Sequence, residues 1–151
     1  METDDAALLE RMRGRKAATT ALLGMELEAL DSATGFTRYR MVVDAGFCNP
    51  MGNLQGGIIT TALDDAAATA VIVKAGRRVA VPTIEFKVSF LGPARMGSTI
   101  FCEGRVLKMG RTISFAEADL TDESGKLLAR MSASMMLVEM EGPGHYVETN
   151  G

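Results

Sequence analysis

Cysteine, histidine and tryptophan are scarce in this chain of 151 residues, which contains two cysteines, one histidine and no tryptophan. Cys48 and Cys102 form neither a CxxC pair nor a metal-ligand spacing, so we expect reduced thiols rather than a disulfide framework or a metal site. Neither cysteine has a histidine partner, which argues against a cysteine nucleophile. His145 lies in the predicted C-terminal tail, where we expect no catalytic role.

An excess of positive charge and an apolar leader are also lacking. The net charge is −3 and the pI is about 5.2, so we expect no nucleic-acid partner. Residues 1–7 are acidic and have no apolar stretch, which predicts a cytoplasmic rather than a secreted protein. Asp64 and Asp65 interrupt the longest apolar run, 58–73, so we expect no membrane-spanning helix and no membrane partner.

The length and the lack of linkers predict one domain. A chain of this length buries roughly 70% of its unfolded surface around a single core. No repeat, low-complexity stretch or Pro/Ser-rich linker divides it. We therefore predict a single domain over 1–140, followed by a flexible C-terminal tail over 141–151.

Hydrophobic periodicity predicts an α+β domain. Helical spacing is found over 5–13 and 16–23, and a long helix that is apolar on nearly every face covers 54–75 and ends at Gly76. Alternating segments predict strands over 25–30, 36–44, 79–90, 99–107, 112–120 and 127–140. Because alternating strands need one face covered, we expect an antiparallel sheet wrapped around the long central helix.

The long helix carries two adjacent carboxylates, Asp64 and Asp65, about two turns from its start. A buried ionised carboxylate is costly unless it has a partner. Neighbouring helical residues point about 100° apart, so the two side chains face different surroundings. Thr60 and Thr61 lie one turn earlier and could donate hydrogen bonds to either carboxylate.

The helix begins at a pair of glycines, Gly56 and Gly57. A helix N-terminus offers free N–H groups and a positive dipole end, and glycine allows a ligand to approach closely. Such a site can stabilise an oxyanion. Gly56 and Asp64 are about 12 Å apart along the axis, so either the substrate lies along the helix or a second subunit completes the site. The structural alternatives are a plain turn at the glycines and an exposed Asp on the helix. At this point the functional and the structural interpretation are about equally supported.

A motif around the helix start resembles the signature of the hotdog-fold thioesterases, and is most similar to their phenylacetate-degradation (PaaI-like) branch. It consists of Asn49, Gly52, Gln55, Gly56, Gly57 and Asp64. The resemblance continues through 81–90, 92–97 and 108–112 and covers roughly 20–140. It implies a hotdog fold and an acyl-CoA thioesterase that releases the acid and free CoA, with no metal and no cofactor, CoA being part of the substrate.

The resemblance also implies roles for individual residues. Asp64 would be the general base or nucleophile, and the N–H of Gly56 would polarise the thioester carbonyl. Asn49 would position the water or the thioester. Thr83, on the strand after the helix and from the partner subunit, would orient the water. Gln55 stands where many relatives have histidine; it can donate a hydrogen bond but cannot transfer a proton.

The CoA part of the substrate is expected at two further places. Phe90 would line the same cleft. The nucleotide would lie near the turn 108–113, which comprises Lys108, Met109, Gly110, Arg111, Thr112 and Ile113, with Arg111 a candidate for its phosphates. Hotdog domains pair open sheet edges, so we expect a homodimer or homotetramer with active sites at the subunit interface.

Other functions remain as alternatives. A non-catalytic acyl-CoA-binding hotdog protein is the main one. A transcription regulator would need a DNA-binding segment and a dehydratase would need a catalytic histidine, and the sequence offers neither in a suitable place. Asp65 is expected to be structural. Arg77 and Arg78 complement the dipole at the helix end, with contact to CoA phosphates as the alternative.

Overall fold

A computed structural model of the chain describes residues 3–149. The helices in this range are α1 (Asp5–Gly14), α2 (Ala18–Leu22) and α3 (Gly56–Ala75), with a 3-10 turn at Ala45–Phe47. The strands are β1 (Arg15–Lys16), β2 (Glu26–Asp31), β3 (Phe36–Val42), β4 (Val79–Ala80), β5 (Thr83–Phe90), β6 (Thr99–Met109), β7 (Ile113–Asp122), β8 (Leu127–Met136), β9 (Val138–Glu139) and β10 (Val147–Glu148).

Six strands form one antiparallel sheet in the order β2-β3-β6-β7-β8-β5. Burial alternates along β3, where Tyr39 and Met41 face the core while Arg40 is exposed. The inner face packs against α3, and the shared core contains residues of the helix and of all six strands except the edge strand β5, which contributes only partly buried residues. The predicted α+β arrangement of a sheet around one long helix is therefore confirmed.

Small residues let the sheet approach α3 closely. The helix buries four alanines, Ala62, Ala66, Ala67 and Ala70. Gly104 of β6 faces them, and a Cβ there would lie 2.2 Å from the carbonyl oxygen of Ala66. The buried hydroxyl of Thr37 donates to the same oxygen at 2.9 Å. Glycine at 104 is therefore required by close backbone approach.

Helix α3 ends as predicted. Gly76 adopts the left-handed conformation, with φ of 64°, that commonly terminates a helix. By length and composition α3 would also be able to cross a membrane. In this fold, however, its apolar side chains lie in the core under the sheet.

Two predicted strands are each interrupted. The segment 79–90 is divided into β4 and β5 around Pro82, which has no N–H for a sheet ladder. The segment 127–140 is divided at Leu137, which separates β8 from β9 and donates its N–H to the Thr112 carbonyl at 2.8 Å. The outer pieces, β4 and β9, pair with each other in a separate two-stranded sheet.

The C-terminal segment differs from the flexible tail that the sequence predicted over 141–151. Its described part, 141–149, contains β10, which pairs with β1 near the N-terminus. Thr149 adds hydrogen bonds from its N–H to the Gly14 carbonyl and from its hydroxyl to the Arg13 carbonyl, at 3.1 and 2.6 Å. The segment is therefore tied to the end of α1. A two-residue strand has no periodicity that the sequence could reveal.

Candidate active site

Asp64 and Thr83 form a hydrogen-bonded pair within one chain. Asp64 lies two turns into α3, and Thr83 is the first residue of β5. The Thr83 hydroxyl donates to Oδ1 of Asp64 at 2.8 Å, and both side chains are half-buried. This contact lies within one chain, because the β4–β5 connection returns the chain to the middle of α3. The expected contribution of Thr83 to a partner subunit's site stays a prediction.

Asp65 faces a different environment from Asp64. Its Oδ2 accepts hydrogen bonds from the hydroxyls of Thr20 and Thr19, at 3.2 and 3.3 Å. Burial raises the pKa of Asp65, the two threonine hydrogen bonds oppose the rise, and the charge of Asp64 adds to it. Asp65 thus anchors α2 to α3, which agrees with the structural role expected for it.

Thr60 and Thr61, one turn before the carboxylates, do not donate hydrogen bonds to Asp64 or Asp65. The Thr60 and Thr61 hydroxyls donate to the carbonyls of Gly56 and Gly57, at 2.8 and 3.0 Å. The expectation that they would bond Asp64 or Asp65 is therefore wrong, since a helical threonine readily bonds the carbonyl four residues back. The actual donors, Thr19, Thr20 and Thr83, are distant in sequence and give no local signal.

The N-terminus of α3 is open on the side of Gln55. Gln55 is the N-cap residue, is exposed, and makes no side-chain capping bond. Its backbone N–H donates to the Phe47 carbonyl at 3.0 Å, which fixes the chain entering the helix. The N–H of Gly56 belongs to the first turn, where helical N–H groups have no partner within the helix. This N–H can therefore be offered to a ligand oxygen.

Phe90 lies against Gly56. A Cβ at Gly56 would be 3.3 Å from two carbons of the Phe90 ring. The Phe90 side chain is nevertheless 53% exposed. Glycine at 56 thus lets the tip of an aromatic ring lie against the helix start while about half of Phe90 stays exposed, which is compatible with the predicted cleft-lining role.

Asn49 shapes the loop that pairs with the chain entering α3. Its Oδ1 accepts hydrogen bonds from the N–H groups of Met51 and Asn53, at 3.0 and 3.2 Å. The backbone of Asn49 also donates to the Asn53 carbonyl at 2.8 Å. These bonds fix the orientation of the side chain, so its amide N–H groups are what Asn49 can present to a ligand.

The predicted CoA-binding residues lie where β6 turns into β7. They are the last two residues of β6, the turn itself and the first residue of β7: Lys108, Met109, Gly110, Arg111, Thr112 and Ile113. Lys108 and Arg111 are exposed. The turn closes by a hydrogen bond from the Gly110 N–H to the Ile113 carbonyl at 2.9 Å. Ile113, at the end of the turn, pairs with Met136 of β8, and the Met136 N–H donates to the Pro82 carbonyl at 2.9 Å. The turn therefore lies next to the start of β5.

The predicted site residues therefore form two separate groups in one chain. The first, the glycine half, consists of Asn49, Gln55, Gly56 and Phe90. The second, the carboxylate half, consists of Asp64, Thr83 and the turn 108–113. The two ends of β5, Thr83 and Phe90, are roughly 24 Å apart at strand spacing, and the two groups are about 12 Å apart along α3.

Comparison with known proteins decides the family. The thioesterase superfamily model matches residues 51–129, which include all of α3 and the strands from β4 to the start of β8. The chain belongs to the thioesterase superfamily. This membership makes it a thioester hydrolase.

Individual relatives agree with the family. This thioesterase is 28% identical to human acyl-coenzyme A thioesterase 13 over 106 residues, which cover 70% of this chain and 75% of the human one. A phenylacetic acid degradation-related protein of Ralstonia eutropha superposes with a TM-score of 0.78 at 28% identity, covering 89% and 99% of the two chains. A hypothetical thioesterase protein of Streptococcus pneumoniae solved with coenzyme A has a TM-score of 0.70 at 19% identity, covering 78% and 88% of the two chains, and shows the fold alone. The predicted hotdog fold and the PaaI-like resemblance are confirmed.

One edge of the thioesterase sheet is exposed and apolar. Within residues 3–149, β5 pairs on one side only, with β8. It carries three large apolar side chains that are about half exposed, Ile84, Phe86 and Phe90. Proteins commonly cover or pair such an edge.

The thioesterase offers no evident metal centre in the part of the chain that is described. No group of three or more His, Cys, Asp or Glu side chains in 3–149 is placed to hold a metal ion. Burial raises the pKa of the Cys102 thiol to about 12, with a further contribution from the charge of Asp65.

Proposed function

We propose that this chain hydrolyses acyl-CoA thioesters to the free acid and CoA, with Asp64 as general base or nucleophile. The observation that carries the proposal is the half-buried Asp64 carboxylate held by Thr83 on the central helix of a thioesterase-superfamily fold. The name of human acyl-coenzyme A thioesterase 13 supports an acyl-CoA substrate. The coenzyme A bound in the S. pneumoniae structure supports it as well.

The chemistry follows from the atoms available. Thr83 occupies Oδ1 of Asp64, which leaves Oδ2 to accept a proton from water or to attack the carbonyl carbon directly. The N–H of Gly56 stabilises the oxyanion as the carbon–oxygen bond forms. Gln55 and Asn49 donate further hydrogen bonds from their amides. The carbon–sulfur bond then breaks. In the general-base route the proton taken up by Asp64 passes to the leaving sulfur, which gives the acid and the CoA thiol. In the nucleophile route the acyl–Asp64 anhydride is hydrolysed by water, which releases the acid and supplies the proton for the CoA thiolate. The reaction needs no metal or redox cofactor.

A symmetric dimer would bring the two halves together. Pairing β5 with β5 of a second copy, antiparallel about a two-fold axis, sets the Thr83 end of one strand beside the Phe90 end of the other. The glycine half of one copy then faces the carboxylate half of its partner. The exposed apolar edge of β5 supports this arrangement, which we infer for a homodimer or a tetramer built from such dimers.

The turn 108–113 lies on the carboxylate half and is well placed for the nucleotide of CoA. Lys108 and Arg111 are exposed and cationic, and phosphate oxygens accept hydrogen bonds from both side chains. Phe90 contributes an apolar wall for the pantetheine or the acyl group. We infer that the acyl-CoA spans both halves.

The direct test compares Asp64→Asn with its neighbour Asp65→Asn. A panel of short-chain, aryl and long-chain acyl-CoA thioesters first identifies the best substrate. We expect Asp64→Asn to lower kcat by roughly 10²- to 10⁴-fold, the usual contribution of a general base. Asp65→Asn should stay within a few-fold of the wild type. Full activity in Asp64→Asn would disprove the mechanism, and acyl-CoA binding without turnover in the wild type would favour the non-catalytic alternative.

A further inference from the structure

A cavity lies away from both halves of the proposed active site. It has a volume of about 510 Å³ and is lined by α1, the C-terminal part of α3 and the segment around β10. Thr69, Ile72, Val73 and Gly76 form its wall on α3. Among the described lining residues, none belongs to the glycine half or the carboxylate half. A volume of this size falls in the usual range of small-molecule sites, roughly 300 to 1,000 Å³.

The interior of this cavity is apolar. Leu27, Val73 and Val79 are buried lining residues, and Met12 and Ile72 are half-buried ones. These side chains surround a space that favours an apolar ligand.

The few hydroxyl groups at the inner end of the cavity already have partners. Tyr39 donates to the Thr69 hydroxyl at 3.0 Å, and Thr69 donates to the Asp65 carbonyl at 2.7 Å. Thr20 donates to the Asp65 carboxylate at 3.2 Å. A ligand therefore does not have to supply polar groups at this end.

The rim of the cavity is cationic. Arg11, Arg15, Arg77 and Arg78 line it and are exposed. Lys16 also lines the cavity and is buried. Of the described lining residues, none is acidic.

Only part of this positive charge is neutralised by ion pairs. Lys16 pairs with Glu26 at 2.6 Å, and Arg77 pairs with Glu139 at 2.8 Å.

The other contacts at the rim leave the charge in place. Arg15 donates to the Pro143 carbonyl at 2.7 Å and lies 4.5 Å from the Tyr146 ring centroid, while Arg78 donates to the Gly142 carbonyl. A backbone carbonyl does not cancel a guanidinium charge, so the rim stays positive.

We propose that this cavity binds a fatty acid, with the unbranched chain inside and the carboxylate at the arginine rim. The apolar interior accounts for the chain, and guanidinium groups are the residues best suited to hold a carboxylate by paired hydrogen bonds. The site does not depend on the proposed function, because it shares no residue with the two halves. It places a second, separate ligand on the chain.

The first experiment is calorimetric titration of the full chain with saturated fatty acids from octanoate to palmitate, in the presence of saturating CoA. Each added methylene should tighten binding by up to about fourfold until the cavity is filled, after which affinity should level off. Dodecyltrimethylammonium, with the same tail as a matching acid but a cationic head, should not bind. Displacement of the fatty acid by CoA, or equal binding of the cationic amphiphile, would overturn the proposal.

Variants then locate the site. Ile72→Trp fills the interior, and the double variant Arg11→Glu with Arg78→Glu reverses charge at the rim. Both should weaken fatty-acid binding by about tenfold or more, as expected when charged hydrogen bonds or the binding volume are lost. Arg40→Glu, an exposed change outside the cavity lining, is the control and should bind like the wild type.

Using an interior variant and a rim variant keeps the test decisive even if one of them does not fold. If Ile72→Trp does not fold, the exposed rim variant decides the question alone. Unchanged binding in a folded rim variant would disprove the site. Because calorimetry reads binding directly, the result is independent of whether the chain hydrolyses acyl-CoA.

Discussion

The Thr83 hydroxyl donates a 2.8 Å hydrogen bond to Oδ1 of Asp64, and so ties the first residue of β5 to the middle of α3. The bond fixes the carboxylate orientation from within the same chain. The bond also makes the two carboxylate oxygens different from each other. Oδ1 accepts from Thr83, and Oδ2 is left for chemistry.

Loss of this hydrogen bond should impair turnover more than substrate binding. In Thr83→Val the shape is kept but the donor is lost, and we expect kcat to fall by about tenfold or more, in line with one hydrogen bond to a charged group. Thr83→Ser keeps the donor and should retain most of the activity. Steady-state kinetics with the best acyl-CoA substrate measures both. Equal kcat in the valine and serine variants would show that the bond does not position Asp64 for chemistry.

Two inactive variants should restore activity when mixed, if each site takes one half from each subunit. Asp64→Asn damages the carboxylate half, and Gly56→Val damages the glycine half by displacing Phe90 from its contact with Gly56. After unfolding and refolding together, statistical heterodimers contain one intact site each. The mixture should then recover about a quarter of wild-type activity.

The control for this experiment is a mixture of Asp64→Asn with Asp64→Asn/Gly56→Val, in which no heterodimer has an intact site. It should stay inactive. Activity that fails to return in the first mixture, although native gels show heterodimers, would mean that each chain carries a complete site of its own.

The sequence predicted the parts of this protein that have a local signal. The twenty-residue helix α3 was recognisable because apolar residues cover its faces and Gly76 ends it. The contact of Asp64 with Thr83 spans nineteen residues and depends on the break at Pro82. That contact, like the threonines on Asp65 and the pairing of β1 with β10, depends on tertiary packing that no periodicity encodes. The basic cavity also escaped prediction, because its arginines come from two segments, 11–15 and 77–78, that are far apart in sequence.

Close packing of the sheet on α3 makes Gly104 essential for stability. In Gly104→Ala the new Cβ would meet the carbonyl oxygen of Ala66 at 2.2 Å, and backbone atoms on both sides cannot yield easily. We expect a loss of roughly 3 kcal/mol or more in the free energy of unfolding, at the upper end for single substitutions. Urea unfolding followed by circular dichroism measures it.

Gly57→Ala is the matched control for Gly104. A Cβ at Gly57 meets nothing within 4 Å, and the residue lies in the first turn of α3. Alanine favours a helix over glycine by up to about 1 kcal/mol, so Gly57→Ala should be neutral or stabilising. A Gly104→Ala protein as stable as Gly57→Ala would contradict the close approach of β6 to α3.

Asp65 should make the protein less stable as pH rises. Burial raises the pKa of Asp65 above its ordinary value of 3.8, with the Thr20 and Thr19 hydrogen bonds opposing and the charge of Asp64 adding to the rise. Between 3.8 and the raised value the native state binds more protons than the unfolded state. The free energy of unfolding therefore falls through this window. Asp65→Asn removes the effect, so its stability relative to the wild type should improve as pH increases from below 3.8.

Asp119 supplies a comparison of opposite sign. Burial raises the pKa of Asp119, but the hydrogen bonds and charges of Arg130 and Arg105 outweigh it, and the net pKa is lowered from 3.8. Its contribution to stability is present above that value and is lost as pH falls through the lowered pKa. Asp119→Asn should therefore lose stability relative to the wild type as pH rises, whereas Asp65→Asn gains it. Urea midpoints measured across the acidic range for the three proteins give both slopes. Parallel slopes for the two variants would show that the carboxylates have similar environments, contrary to the contacts of Asp65 with threonines and of Asp119 with arginines.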